Sequence, residues 1–303
     1  MWAFATLLGI AALGAALWDT GADPEDGVDD DHDEAPPVGD QILPGSDIAD
    51  FIEGGDGNDQ LNGYGGADTL IGNDGDDVLI GQDGNDLALG GKGADRLEGN
   101  DGRDTLKGGE GADLLLGGLD DDWLVGNEGA DTLFGGLGND LLSGGDGVDF
   151  ISGNHGDDTL IGGLGADDFS GGSGHDLLVG TVLAEDGIDR DAADTLVGGQ
   201  GNDTMIAGAA DLLEGLGGAD QAIVSHWNAG GNAAVWNDFD PAEDSIAFYD
   251  KTGALDPARL DIVPDDTDPS IGLVELDGEV ILTVHGGGGL TASDIRIIDS
   301  LPQ

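Results

Sequence analysis

Cysteine is absent from this chain of 303 residues, and basic residues are scarce: eight Lys and Arg stand against 64 Asp and Glu. The first absence excludes disulfides, thiolate metal sites and cysteine nucleophiles. A small exported scaffold often relies on disulfides, so stability here must come from another source. The second absence leaves a formal charge of −56, with no Lys or Arg before Lys92. Such a chain repels phosphate backbones, which excludes nucleic acid as a partner. It is equally unsuited to anionic lipid head groups. Catalytic signatures are missing too. There is no H-E-x-x-H and no G-x-S-x-G, and Gly91-Lys92 has no P-loop around it. Matches to G-x-G-x-x-G arise from periodic glycine and follow no Rossmann pattern. The expectation is a protein that is not an enzyme.

Glycine is abundant, at 60 residues, and so are carboxylates. Low apolar content with high net charge disfavours a compact state. The partner that clustered carboxylates favour is a hard cation. A disordered acidic tract would scatter these residues, whereas here they keep register. From Gly54 to Val179 the chain divides without a gap into fourteen nine-residue units of the pattern G-G-x-G-x-D-x-U-x, where U is large and apolar. Position one is always Gly and position six always Asp. Asp120 is the one departure from Gly at position four, and Ala88 the one small residue at position eight. Gly45–Glu53 is a degenerate unit, Gly198–Ile206 a clean one with Asp203, and a last weak unit carries Asp220. Residues 180–197 span two more lengths and restore Asp194 in phase, with Ile188–Ala193 alternatively a loop that keeps the count. Position two is Asn at Asn73, Asn100, Asn127 and Asn154, each three units beyond the last, as if a block of three had been duplicated.

Each position has a physical role. Glycines at one, two and four permit a tight turn with positive φ. Position six adds a carboxylate, and positions seven to nine form a short strand with position eight facing inward. Only stacked copies can bury the resulting Leu ladder. A unit holds one turn and one strand, so two units make a coil of 18 residues, and same-side turns stack about 4.8 Å apart. The aspartates then form two rows. One is Asp59, Asp77, Asp95, Asp113, Asp131, Asp149 and Asp167. The other is Asp68, Asp86, Asp104, Asp122, Asp140, Asp158 and Asp176. Asp203 belongs to the later clean unit. Adjacent carboxylates in a row repel unless a cation lies between them. Ca²⁺ accepts six to eight oxygens, carbonyls included, whereas Mg²⁺ demands tighter geometry and keeps its waters. Acids at position five (Asp76, Asp121, Asp157) read as solvated, and His155 and His175 as surface residues too isolated for a transition-metal site.

The pattern resembles the RTX, or hemolysin-type, nonapeptide-repeat proteins over roughly Gly45 to Ile223. The resemblance implies an all-β fold: a parallel β-roll, right-handed, with two sheets. It also implies Ca²⁺ between successive same-side turns, held by turn carbonyls and the position-six aspartates. Six gaps on each side make about a dozen ions the expectation. The Asp120 turn puts its neighbouring sites in doubt. The zinc protease and lipase domains that accompany such repeats elsewhere have no counterpart here. Val235–Phe248 is similar to the D-F-x-x-x-x-D-x-I segment that closes many such rolls, and Leu290–Ile295 to the ends of proteins exported by type I secretion.

The chain therefore divides into an N-terminal hydrophobic helix (1–18), an acidic linker (19–44), the roll (45–223) and a small β-rich cap (224–303). Trp2–Trp18 carries no charge and would be about 25 Å long as a helix, near the minimum for a bilayer span. An uncleaved membrane anchor is the preferred reading, a cleaved signal the alternative, and a buried core helix the third. Gly272–Val284 reads as a β-hairpin turning at Asp277-Gly278. Outward positions seven and nine are often apolar, as at Leu87, Trp123 and Ile161, which suggests packing against the C-terminal segment or self-association. The reading is an extracellular or surface-anchored protein that folds on binding Ca²⁺. A surface-layer or adhesin component, and a non-catalytic module of an exported enzyme, are the alternatives.

Overall fold

The computed structural model describes residues 39–182, 191–225, 233–250, 256–291 and 294–302. The helix expected over 1–18 lies outside the described residues, as does most of the acidic linker. Among the described residues no helix is long and apolar enough to cross a membrane.

The described chain is a β-solenoid of two sheets, one of 14 strands and one of 12. From Ile42 to Tyr249 consecutive strands alternate between the sheets. In the roll every pairing is parallel and joins residues one coil apart, as Leu61 to Leu79 and Leu70 to Ala88. The strands are longer than the repeat suggests. Thr69–Asp74, for example, covers positions seven, eight, nine, one, two and three, and the other full-length strands follow it. Only positions four to six turn the chain. The cause is the side-chain period of two. Position eight points inward, and so does position one, two residues on. Both are buried, as in the pair Leu70 and Gly72. Position-eight side chains from Leu61 to Leu178 form the core ladder, at no more than 1% exposure each.

Two irregularities keep the sheets intact. Asp168 pairs directly with Thr195, one whole unit beyond the partner a regular coil would give it. The extra unit lengthens this coil without adding a rung: of the two lengths over 180–197 only one yields a strand among the described residues, which begins at Thr195. Thr195 then pairs with Leu212, and Thr204 with Gln221, at a spacing one residue short of a coil. The Asn residues of position two fall alternately on the two sheets, because a step of three units is one and a half coils.

Beyond residue 223 the repeat disappears from the sequence while the sheets run on. Ala234–Trp236 adds in parallel to one sheet and Ser245–Tyr249 to the other. Glu279–His285 and Ile295–Ile298 each add one more parallel rung. The hairpin is present where the sequence places it: Ile271–Leu276 runs antiparallel to Glu279–His285. Both turn residues have positive φ, 54° at Asp277 and 83° at Gly278, as the turn chemistry of Asp-Gly demands.

Candidate metal centre

The turns bring the position-six aspartates into two rows along opposite flanks. All fourteen, and Asp203, are 1–3% exposed. Within a row the carboxylates are linked head to tail. The backbone N–H of Asp59 donates to Oδ1 of Asp77 at 2.7 Å, that of Asp77 to Asp95 at 2.8 Å, and that of Asp95 to Asp113 at 2.8 Å. The second row repeats this from Asp68 to Asp86 and onward at 2.8 Å. One oxygen of each carboxylate is thereby satisfied.

The other oxygen is not. Oδ2 is buried without a hydrogen-bond partner at Asp59, Asp68, Asp77, Asp86, Asp95, Asp104, Asp113, Asp122, Asp131, Asp140, Asp149, Asp158, Asp167 and Asp176, and likewise at Asp194 and Asp203. Native proteins rarely leave buried polar atoms in this state, and one repeated in every turn calls for an unseen partner. The surroundings show what kind. Each Oδ2 lies against the position-one glycine of its own unit. A Cβ on Gly72 would collide with Oδ2 of Asp77 and stand 2.6 Å from the carbonyl oxygen of Gly90, one coil on. Gly90, Gly99 and Gly126 repeat the arrangement with Gly108, Gly117 and Gly144. Position one is therefore Gly because two oxygens converge on it. It does not have positive φ, contrary to the expectation for all three glycines; positions two and four do, Gly147 excepted.

Carboxylate and carbonyl oxygens without a competing donor make a hard-cation environment. Among the described residues no three His, Cys, Asp or Glu side chains gather to hold one ion. An ion here would take at most two carboxylates and complete its shell from carbonyls. That suits Ca²⁺ better than Zn²⁺, whose sites are closed by three or four side chains. The rows also show the cost of leaving these oxygens bare. Burial pushes the carboxyls up, with neighbouring carboxylates adding to it against the opposing backbone N–H. Asp122 rises to about 8, Asp95, Asp149 and Asp158 to about 7, and Asp104 and Asp113 to about 6.

The Asp120 turn keeps its shape. Asp120 adopts the left-handed conformation, φ 69°, in place of glycine, and Oδ2 of Asp122 remains buried and unpartnered. The added carboxylate raises Asp104 and Asp122 instead. Position-five side chains are exposed but engaged. Oδ1 of Asp76 accepts from the N–H of Ala94, Asp121 from Asn139, and Asp157 from His175, at 2.8–2.9 Å. His175 takes the same role, its Nδ1 accepting from Asn202 at 2.8 Å. His155 meets Ser173 Oγ at 2.8 Å.

The rows reach further than the uniform repeat. Asp167 donates to Asp194 and Asp194 to Asp211; Asp176 donates to Asp203 and Asp203 to Asp220. The signal for Asp194 and Asp220 is the recovered nine-residue phase, and for Asp211 the position-six place left by one deleted residue. Asp244, outside any repeat, ends one row: its Oδ1 accepts from Asp220 at 2.9 Å and its Oδ2 from Asp240 at 2.7 Å.

A family model for the RTX calcium-binding nonapeptide repeat matches the chain in successive copies from residue 44 to 178, and again over 190–222. The break between them falls on the nine-residue excursion. No curated protein matches the chain.

Proposed function

The chain belongs to the RTX calcium-binding nonapeptide-repeat family, and from that premise we propose that its two aspartate rows are the calcium ligands and that filling them folds the protein. The observation that carries this reading is the unpartnered Oδ2 in every turn. Each Ca²⁺ would take Oδ2 oxygens and turn carbonyls from successive same-side coils. In the uniform part this gives about a dozen ions, or about +24 of charge. The remaining balance is still strongly acidic, which keeps the roll soluble. Before metal arrives, the same carboxylates oppose compaction. Metal-binding energy is then folding energy. Extracellular calcium modules bind at about 10⁻⁴–10⁻³ M, so folding would follow export. An extracellular or cell-surface location accords with this threshold and with the lack of cysteine, and Trp2–Trp18 supplies an apolar segment suited to export or anchoring.

Equilibrium dialysis against CaCl₂ and MgCl₂ tests the assignment. The expected result is cooperative uptake of about a dozen Ca²⁺ per chain at millimolar concentration, with little Mg²⁺. Uptake of only one or two ions, or equal uptake of both, would overturn it.

A further inference from the structure

The two sheets differ on their outward faces. On the 12-stranded sheet, from Thr69–Asp74 to Leu177–Gly180, outward positions seven and nine hold no Asp or Glu. Their one charge is Lys107, whose ammonium lies 5.0 Å over the Trp123 ring. Position two in these strands is only Asn or Gly. The 14-stranded sheet, by contrast, carries Glu98 and Asp168 outward. In a chain with 64 acidic residues, this face carries none over seven strands. Its rim is charged, with Glu110, Glu128 and Asp146 at position three beside the strip. An apolar centre inside a charged rim is the anatomy of a protein interface.

The molecule already covers one end of this strip with its own chain. Ile298 and Leu301 of the C-terminal tail pack on Val179, Ile206, Ile223 and Ala247. Ile206 and Ile223 are 1% and 0% exposed although they occupy the outward position nine. The same column continues through Ile161, Ser143, Val125, Lys107 and Leu89 to Ile71 with no covering element among the described residues.

We propose that a second copy of this chain covers the rest, the two 12-stranded sheets meeting face to face about a twofold axis. Charge decides the occupant. Two calcium-loaded copies, each still about −32 after about +24 of bound Ca²⁺, repel across nearly every surface, and this face, free of acidic residues and carrying only Lys107, is where they can approach. The six strands left uncovered, at about 4.8 Å each, by five residues at about 3.3 Å, give about 475 Å² of flat face per partner. That is below the ~800 Å² of a standard interface, so the dimer is weak and reversible. The proposal rests on the calcium-loaded roll, since the face exists only when the coils are stacked.

Sedimentation velocity of the full chain in CaCl₂, from micromolar to about 1 mM, reads the dimer, with far-UV circular dichroism on the same samples. The expected result is a monomer–dimer equilibrium that Leu89→Glu and Val125→Glu each abolish, while Ile80→Glu, at position nine of the other sheet, leaves it unchanged. A folded wild type that stays monomeric overturns the dimer and leaves the calcium reading intact. So does a dimer that survives both strip variants or is lost equally in Ile80→Glu. Loss of the calcium-dependent β signal in the wild type instead strikes the proposed function.

Discussion

At the scale of single residues, the glycines of the repeat are not equivalent. Gly136 at position two has φ 121°, and Asn fills the same place at Asn73, Asn100, Asn127 and Asn154 with φ of 73–81°. Gly135 at position one is extended. A Cβ there would collide with Oδ2 of Asp140 and stand 2.9 Å from the carbonyl of Gly153. Gly135→Ala should therefore destabilise the calcium-loaded roll by about 1–3 kcal/mol, as overpacking does. Gly136→Asn should cost less than Gly135→Ala only because its turn can move: a Cβ at φ 121° would collide with the Gly118 carbonyl oxygen one coil back, and the native Asn turns relieve this at φ 73–81°. Urea unfolding at fixed CaCl₂ measures both, and equal losses would contradict the distinction. That position one is Gly can be read from the sequence. The reason cannot, because the atoms that forbid a side chain belong partly to a carbonyl of the next coil.

At the scale of elements, the roll is closed by pairing out its loose ends. Asp238 accepts from the N–H groups of Gly215 and Leu216 at 2.9 and 2.8 Å, and from Trp236 Nε1 at 3.0 Å. Phe239 packs edge-on against Trp236, 4.9 Å between centroids. The D-F-x-x-x-x-D-x-I segment is thus a stop: Asp238 satisfies the last full turn, Asp244 ends its row with both oxygens engaged, and Ile246 extends the core. Asp238→Ala should destabilise by about 1–3 kcal/mol, since two backbone donors at the end of the roll lose their acceptor. A variant as stable as wild type in urea with CaCl₂ would rule out this capping role.

The rows themselves set a pH dependence. Without metal, burial raises folded-state carboxyls inside the rows, to about 6 at Asp104, about 7 at Asp95 and about 8 at Asp122, against an unfolded value near 3.9. Between those values the folded form binds more protons than the unfolded one, so stability of the metal-free roll rises as pH falls. Protein freed of calcium should show more β signal at pH 5 than at pH 8, while its calcium affinity at pH 5 is weaker through proton competition. A metal-free signal that is flat or falls from pH 8 to pH 5 would contradict this.

The parallel stacking, the aspartate rows and the Asp277-Gly278 hairpin are legible in the sequence because each follows from short-range rules: a fixed period, a side-chain alternation, a turn dipeptide. Strand length and the late rungs are not, and the excursion after Gly180 is legible only as one of two alternatives. The excursion hides because an insertion one unit long preserves the count. Ala234–Trp236 and Ser245–Tyr249 hide because they lack glycine turns and are held by neighbours more than a regular coil away, as Leu212 to Val235 and Gln221 to Ser245.

At the scale of the whole molecule, charge and core oppose each other. The Leu ladder gives a continuous apolar column, yet each layer of it brings two more buried carboxylates into the rows. On the proposed reading, the net −56 sets the rows against the apolar term when no metal is bound. A divalent cation between turns would supply the opposite charge and the missing partner of each Oδ2 in one step. The account makes calcium part of the fold rather than a decoration on it. The direct test is far-UV circular dichroism at neutral pH during titration with CaCl₂ after chelator treatment, with MgCl₂ as the parallel titration. The account predicts a coil spectrum that turns into a β spectrum cooperatively with CaCl₂ and stays coil with MgCl₂. A β-rich spectrum already present in excess chelator would contradict it.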